Sequence, residues 1–178
     1  MRRVIGIDPG LAGGLGVLDV DDTGALLGVE LHRTPSMPVI RGRKLRDEYD
    51  AAAMCGLLSR AIDGRAARIQ DVEVALEAQG ARPKQGTVST YRTGLGFGLW
   101  LGIVAAFKVA YRVVPPATWK RHAGLIGADK RASRLRAQER YPTLGVIAAA
   151  DEGPAEALLL ASYVAATRTE GARHGATV

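Results

Sequence analysis

The stretch that decides the fold is residues 3–20, which read RVIGIDPGLAGGLGVLDV. Two apolar runs, residues 3–8 and 14–20, flank a turn that is rich in glycine and contains a proline. Apolar, β-branched runs joined by such a short turn predict two adjacent antiparallel strands. A third run, residues 25–31, follows an Asp-Asp-Thr-Gly turn, so we expect the chain to begin with a three-stranded antiparallel meander.

After the meander, strands are expected to alternate with helices. Residues 33–46 contain three Pro or Gly and five basic side chains, a composition that predicts a loop. Residues 72–77 and 111–114 are strand-like runs. Strands that return through helices predict an α/β fold: a single domain, residues 1–178, with a mixed sheet and helices on both faces. Helical spacing predicts helices over about 50–63, 87–108, 117–122, 129–140 and 154–168.

Positive charge is concentrated in the middle of the chain. The sequence has 24 Lys and Arg against 18 Asp and Glu, a formal charge of +6. Residues 78–150 hold 12 basic and 2 acidic side chains, so this stretch is +10, while residues 1–77 and 151–178 are each −2. Such a segment is either a solvated basic surface or a surface for a polyanion, and the phosphates of nucleic acid are the commonest such partner.

The cysteine count and the hydropathy exclude several classes of protein. The single cysteine, Cys55, excludes an internal disulfide and a Cys-rich zinc site. No apolar run reaches the roughly 18 residues of a membrane span. Met-Arg-Arg leads directly into the first strand without the apolar segment of a secretory signal. We therefore expect a soluble, cytoplasmic protein with no membrane partner.

Two carboxylates are expected at the ends of strands. Asp8 closes the first strand and precedes Pro9-Gly10, a position that suits either a metal ligand or a turn-forming Asp bonded to its own loop. In the run 72–77, period-2 alternation puts Glu73 and Glu77 on one face. Glu73 can reach water at the start of the strand. Glu77, at the end, either stays exposed or is costly to bury unless a cation or another partner compensates it.

A third acidic group opens the last helix. Asp151, Glu152 and Glu156 lie within six residues, more acid than a helix N-terminus requires. Glu152 and Glu156 share a helical face, where two negative charges repel unless a cation lies between them. Together with Asp8 and Glu77 they form a ligand set of oxygen atoms alone, which favours Mg²⁺ and allows Mn²⁺. Paired ions of this kind support phosphodiester hydrolysis. The candidate catalytic residues are Asp8, Glu77, Glu152 and Glu156.

The order and spacing of these groups resemble a known family. Gly6-Ile7-Asp8-Pro9-Gly10, the strand end Ala75-Leu76-Glu77 and the helix Ala155-Glu156-Ala157-Leu158 are similar to motifs of the RuvC family of Holliday junction resolvases, especially its compact phage members. The resemblance covers nearly the whole chain. It implies an RNase H-like fold and a homodimer in the cytoplasm of a bacterial cell. It also implies symmetric, Mg²⁺-dependent nicks in two strands of four-way-junction or other branched DNA, as in DNA recombination and repair.

The resemblance also implies residues that contact DNA. Lys120 and Lys130, which flank Gly124-Leu125-Ile126-Gly127, resemble the family's two DNA-phosphate lysines. The basic loop before the long central helix and the first turns of that helix add further cations and an aromatic side chain. The predicted DNA-binding residues are Arg82, Lys84, Tyr91, Arg92, Lys120 and Lys130.

Two positions depart from the family's pattern. Family members carry an aromatic residue two or three places after the strand-end Glu, which wedges into the junction, but Gln79-Gly80-Ala81 stand there. Either Tyr91 replaces it from farther along the chain or the wedge is absent. Typical members place an Asp or His three or four residues before the helix acid, and that acid is commonly Asp, where this chain has Glu156. Asp151 and Glu152 both stay open as metal ligand, and the four-residue spacing from Glu156 favours Glu152.

Other functions stay open at this point. An RNase H-like nuclease that processes ribosomal RNA shares the Asp-Pro-Gly strand and the late acidic helix, although the long helix over 87–108 favours a resolvase. A nucleotide-binding kinase needs two such lobes, and 178 residues supply one. A non-catalytic module that binds branched DNA predicts no metal dependence. Gly94, Gly98 and Gly102 line one side of the long helix and predict close helix packing across a dimer.

Overall fold

A mixed five-stranded sheet forms the centre of the protein. The computed structural model describes residues 1–64, 68–80 and 86–173, apart from the side chains of Lys130 and residues 168–173. The strands are β1 Arg2–Asp8, β2 Gly14–Val20, β3 Leu26–Arg33, β4 Ser36–Arg41, β5 Lys44–Tyr49, β6 Val72–Glu77 and β7 Ala110–Val114. The sheet has the order β3-β2-β1-β6-β7. β1 to β3 form the predicted antiparallel meander, and β6 and β7 continue the sheet parallel to β1.

β4 and β5 pair with each other as a separate ribbon, so the prediction that residues 33–46 form a loop is wrong. Proline density suggested a loop, but a two-stranded ribbon consists of edge strands, and an edge strand accommodates Pro38. Gly42 has a φ of 63° and opens the two-residue turn between the strands. A positive φ at this position is what a type II′ hairpin turn requires.

Helices cover both faces of the sheet. They are α1 Ala51–Asp63, α2 Thr87–Ala106, α3 Pro116–Ala123, α4 Lys130–Arg140 and α5 Glu152–Arg173. α1 and α2 pack on one face around Met54, Leu58 and Trp100, while α3, α4 and α5 enclose a second core on the other. α5 begins upstream of the predicted start because a proline such as Pro154 is accommodated in the first turn of a helix. Within the described residues, no helix has the length and apolarity to span a membrane.

α5 lies directly on β1 and β2 because two glycines allow it. A Cβ atom on Gly6 would lie 1.8 Å from the backbone oxygen of Ala157, and one on Gly16 would lie 2.3 Å from the backbone of Leu158. Real Cβ atoms do not approach so closely, so only glycine fits at these positions. The glycines of the opening stretch therefore fix the position of the helix that carries Glu156.

The parallel register of β1 and β6 determines where the strand-end acids lie. Ile7 pairs with Leu76, so Asp8 and Glu77 leave the sheet together at the carboxyl ends of adjacent strands. This edge is where open α/β sheets bind ligands. Glu73 does not reach water as predicted: β7 covers β6, and the buried Glu73 carboxylate accepts a hydrogen bond from Arg112 Nε at 2.7 Å.

Candidate active site

Three of the predicted acids line one cleft. Asp8 comes from the end of β1, Glu77 from the end of β6 and Glu156 from the second turn of α5. The cleft has a volume of about 880 Å³, enough to admit a segment of nucleic-acid backbone. Two of the predicted DNA-binding residues, Arg92 and Lys120, also line it. The cleft therefore combines three acidic side chains with two cations.

Glu77 is an acid of the cleft with a strongly raised pKa. Its Oε1 accepts a hydrogen bond from Trp119 Nε1 at 2.9 Å, and its Oε2 accepts one from Gln79 Nε2 at 2.6 Å. The pKa of Glu77 is raised to about 7, chiefly by burial and then by the negative charge of Asp8; Glu156 adds to the rise, while Trp119 and Lys120 oppose it. The carboxylate is therefore fixed in orientation while its charge is under-compensated.

Glu156 is held by two partners from other helices. Its Oε1 accepts a hydrogen bond from Ser133 Oγ at 3.0 Å and lies 3.2 Å from Lys120 Nζ. The Lys120 ammonium also lies 5.1 Å from the centre of the Trp119 ring. Lys120 was predicted to contact phosphate, and in this structure it supplies the counter-charge of a buried acid.

Asp8 forms the turn hydrogen bond that the sequence allowed, and its side chain also lines the cleft. Its Oδ1 accepts a hydrogen bond from the backbone N–H of Gly10 at 3.1 Å, as a turn-forming Asp would. The same carboxylate lines the cleft and raises the pKa of Glu77. Next to it, the Tyr49 hydroxyl lies 3.3 Å from the carbonyl oxygen of Pro9, and burial together with Asp8 raises the pKa of Tyr49.

The remaining predicted acids lie apart from this group. Neither Asp151 nor Glu152 is among the residues that line the cleft. Asp151 accepts a hydrogen bond from Arg33 Nε at 2.6 Å on the surface. The structure thus departs from the predicted set: Glu156 finds its positive partner in Lys120, so no cation between Glu152 and Glu156 is needed to stabilise it. A role for Glu152 or Asp151 as a metal ligand stays a prediction.

Of the other predicted DNA-binding residues, only Tyr91 has a side chain that the structure describes. Tyr91 is 67% exposed on α2 and is not part of the cleft wall. Lys130 is the first residue of α4, and its side chain lies outside the description. Arg82 and Lys84 lie outside the described residues.

Sequence reasoning missed the residues that hold the acids in place. Trp119 is buried, and its Nε1–H donates a hydrogen bond to Glu77. The sequence signal that could have identified Trp119 as part of the site is its position next to Lys120, a predicted DNA-binding residue. Ser133 lies 23 residues from Glu156, and no local pattern predicts that pairing.

The donor set of the cleft fits a hard divalent cation. Among the described residues, no three acidic, histidine or cysteine side chains lie close enough together to form a preformed metal cage. Mg²⁺ does not need one, because it keeps several waters and is commonly held by one or two carboxylates together with substrate phosphates. Asp8 and Glu77 offer two such carboxylates, and the raised pKa of Glu77 indicates a site where added positive charge would stabilise the ionised acid.

Solved structures share this architecture. RuvC of T. thermophilus in complex with a Holliday junction substrate matches with a TM-score of 0.56 at 20% sequence identity, over 94% of this chain and 98% of that chain. A second Thermus thermophilus RuvC structure matches with a TM-score of 0.57 at 21% identity, over the same shares. No protein-family model and no curated protein sequence matches the chain. The fold predicted from the sequence is confirmed: the chain has the RNase H-like fold of RuvC.

Proposed function

We propose that this protein is a divalent-metal-dependent endonuclease that cuts four-way junctions or other branched DNA. The observation that carries the proposal is the cleft at the carboxyl ends of β1 and β6, where Asp8, Glu77 and Glu156 meet Lys120 and Arg92. Further support comes from the fold, which is that of a RuvC solved in complex with a Holliday junction substrate. The +10 segment of residues 78–150 supplies positive charge that suits a polyanionic substrate.

In this proposal the acids, the cations and the groups that hold Glu77 have distinct roles. Asp8 and Glu77 would hold Mg²⁺ or Mn²⁺, with Glu156 as a further acid. When bound, such ions lower the pKa of an attacking water and stabilise the leaving oxygen of a phosphodiester. Trp119 and Gln79 keep the Glu77 carboxylate in one orientation. Lys120 and Arg92 attract the substrate backbone and offset the repulsion between its phosphates and the acids.

The finer proposal is that a homodimer makes paired, symmetric nicks. α2 offers the surface for it: Gly94, Gly98 and Gly102 are exposed, and a Cβ atom at any of them would meet nothing within 4 Å. Leu95 and Tyr91 add exposed apolar area beside these glycines. A two-fold axis through such a face would present two clefts to two strands of a junction.

The proposal is tested by mapping cleavage of a labelled four-way junction, a linear duplex of the same sequence and a structured RNA. We expect nicks in the junction with Mg²⁺ and none with EDTA. Equal cutting of the junction and the linear duplex would contradict junction selectivity. Preferential cutting of the RNA would favour a nuclease that processes ribosomal RNA, and tight junction binding without cutting would favour a non-catalytic module.

Variants separate catalysis from binding. Asp8→Asn and Glu77→Gln should abolish nicking while junction binding stays equal or becomes tighter, because each removes a charge that repels phosphate in the absence of metal. Glu139→Gln is the matched control, since Glu139 is an exposed glutamate of α4 outside the cleft. Cleavage by Glu77→Gln at the wild-type rate would reject the assignment of the cleft as the active site.

A further inference from the structure

The β4–β5 ribbon is the feature that the proposed cleft chemistry does not use. Its strands pair only with each other within the described residues. Side chains on paired residues share a face of such a ribbon, and alternate residues change face. At the turn end, one face therefore carries Ile40 and Leu45 and the opposite face carries Arg41, Lys44 and Arg46; farther from the turn, Pro38, Asp47 and Tyr49 continue the first face and Val39 and Glu48 the second.

The two faces have different chemistry. Ile40 and Leu45 are direct cross-strand partners next to the turn and are 73% and 70% exposed. Because both side chains are mostly exposed, they do not contribute to the hydrophobic core. On the opposite face, Arg41 is neutralised by Glu48, with Nε and Oε1 2.7 Å apart, which leaves the positive charges of Lys44 and Arg46.

The base of the ribbon is anchored at the cleft. The Tyr49 hydroxyl lies 3.3 Å from the Pro9 carbonyl oxygen and 3.4 Å from that of Arg92, and both Tyr49 and Arg92 line the cleft. Asp50, the next residue, caps α1 by accepting a hydrogen bond from the Ala53 N–H. Since Tyr49 shares a face with Ile40 and Leu45, the apolar face is the one that continues from the cleft wall.

We propose that the β4–β5 ribbon is a second DNA-binding element that lies between two arms of branched DNA, with Ile40 and Leu45 against the base pair exposed at the branch and Lys44 and Arg46 on phosphates of the neighbouring arm. This inference rests on the proposed function. Apolar side chains that insert at base steps are a known device of DNA-binding proteins, and a two-stranded ribbon is narrow enough for a major groove.

The positive charge of the ribbon favours DNA as its partner rather than a second copy of this chain. Arg43 in the turn adds a further exposed positive charge beside the apolar pair. Two such ribbon ends would repel each other in a homodimer, whereas phosphates on either side of a base pair attract these cations while the base pair covers the apolar surface. A ribbon whose turn end is apolar on one face and basic on the other fits two DNA arms better than a single duplex, so it favours branched substrates.

The test measures affinity for a four-way junction and for a linear duplex across a range of salt concentrations, in EDTA so that no cutting occurs. Lys44→Ala with Arg46→Ala should lower the slope of log K against log salt by about two for the junction. Ile40→Thr with Leu45→Thr keeps residues that suit a strand and should reduce the preference for the junction over the duplex. It should also reduce the fluorescence change of 2-aminopurine placed at the branch.

The matched control removes two arginines at the far end of the sheet. Arg60 precedes Ala61, whose carbonyl oxygen accepts from Arg3 at the start of β1, and Arg68 lies just before the start of β6. Arg60→Ala with Arg68→Ala should leave the slope for the junction unchanged. All variants alter exposed side chains and should keep the wild-type melting temperature.

The outcomes separate this inference from the proposed function. An unchanged junction slope in the Lys44 and Arg46 variant, with junction cutting intact, would overturn the ribbon inference alone. An equal loss of slope in the control would likewise overturn it, because the effect would then be one of net charge. If the wild-type protein binds neither DNA, both the ribbon inference and the proposed function fail.

Discussion

Replacing Glu77 by Gln tests the electrostatic account of the cleft by a measurement that needs no DNA. Burial, with the charges of Asp8 and Glu156, raises the pKa of Glu77 from its ordinary value of 4.5 to about 7. At about 1.4 kcal/mol per pH unit, this difference disfavours the ionised folded protein by about 3 kcal/mol. Gln keeps the size of the side chain, and its oxygen accepts the hydrogen bond from Trp119. Gln79 can rotate its amide so that its oxygen accepts a hydrogen bond from the new amide N–H at position 77.

The sign of the pH dependence follows from the proton balance. The folded protein holds the Glu77 proton more tightly than the unfolded chain does, so the stability gained from the neutral acid is complete below pH 4.5. That stability is lost as the pH rises to about 7. Above that pH the wild-type protein carries the full cost of a buried charge, and Glu77→Gln carries none. The variant should therefore be more stable than wild type by up to about 3 kcal/mol at alkaline pH and nearly equal near pH 4.5.

Urea unfolding in EDTA on both sides of this pH range measures the difference. Glu139→Gln, which changes an exposed glutamate, should follow the wild-type curve at both pH values. Mg²⁺ added at alkaline pH should raise the free energy of unfolding of wild type more than that of Glu77→Gln, because binding to the folded state alone stabilises it. A difference between variant and wild type that is the same at both pH values would refute the reasoning.

Three further predictions concern packing, charge and assembly. Gly6→Ala should lower the free energy of unfolding in urea by about 3 kcal/mol or more, since the added Cβ atom meets the backbone of α5. The control is Gly56→Ala on α1, where the added Cβ atom meets only the end of a flexible arginine, so that stability should be unchanged or higher. Lys120→Met should cost about 1–3 kcal/mol above neutral pH by leaving the buried Glu156 without its cation, and equal stability of this variant and wild type at that pH would contradict the ion pair. Gly98→Leu should fold normally, because the monomer has open space around this position, but the larger side chain should keep a partner helix from approaching. Light scattering should then show a monomer, and singly nicked junctions should accumulate. A variant that stays dimeric would contradict an interface on α2.

Elements with a local signature were predictable from the sequence, and the ribbon was not. The meander, β6 and the helices each have their own periodicity, and the glycines of the opening stretch marked the strands on which α5 lies. In residues 33–46, the prolines and basic residues gave the composition of a loop. The alternation of side chains between the two faces of the ribbon becomes clear only from the strand pairing, in which Val39 faces Arg46 and Ile40 faces Leu45. Composition averages over both faces of a ribbon, so it cannot detect two faces of opposite character.

The same limit explains why the sequence related Glu156 to Glu152 and not to the groups that it contacts. Local spacing on a helix could relate Glu156 only to Glu152, and the repulsion between two neighbouring acids suggested that a cation joins them. The structure compensates Glu156 from α3 and α4 instead, through Lys120 and Ser133, and these contacts exist because both helices pack on α5. Strand-end acids such as Asp8 and Glu77 were predictable as neighbours because parallel register is a property of the sheet, whereas the groups that tune their charge come from distant segments whose packing no single stretch of sequence specifies.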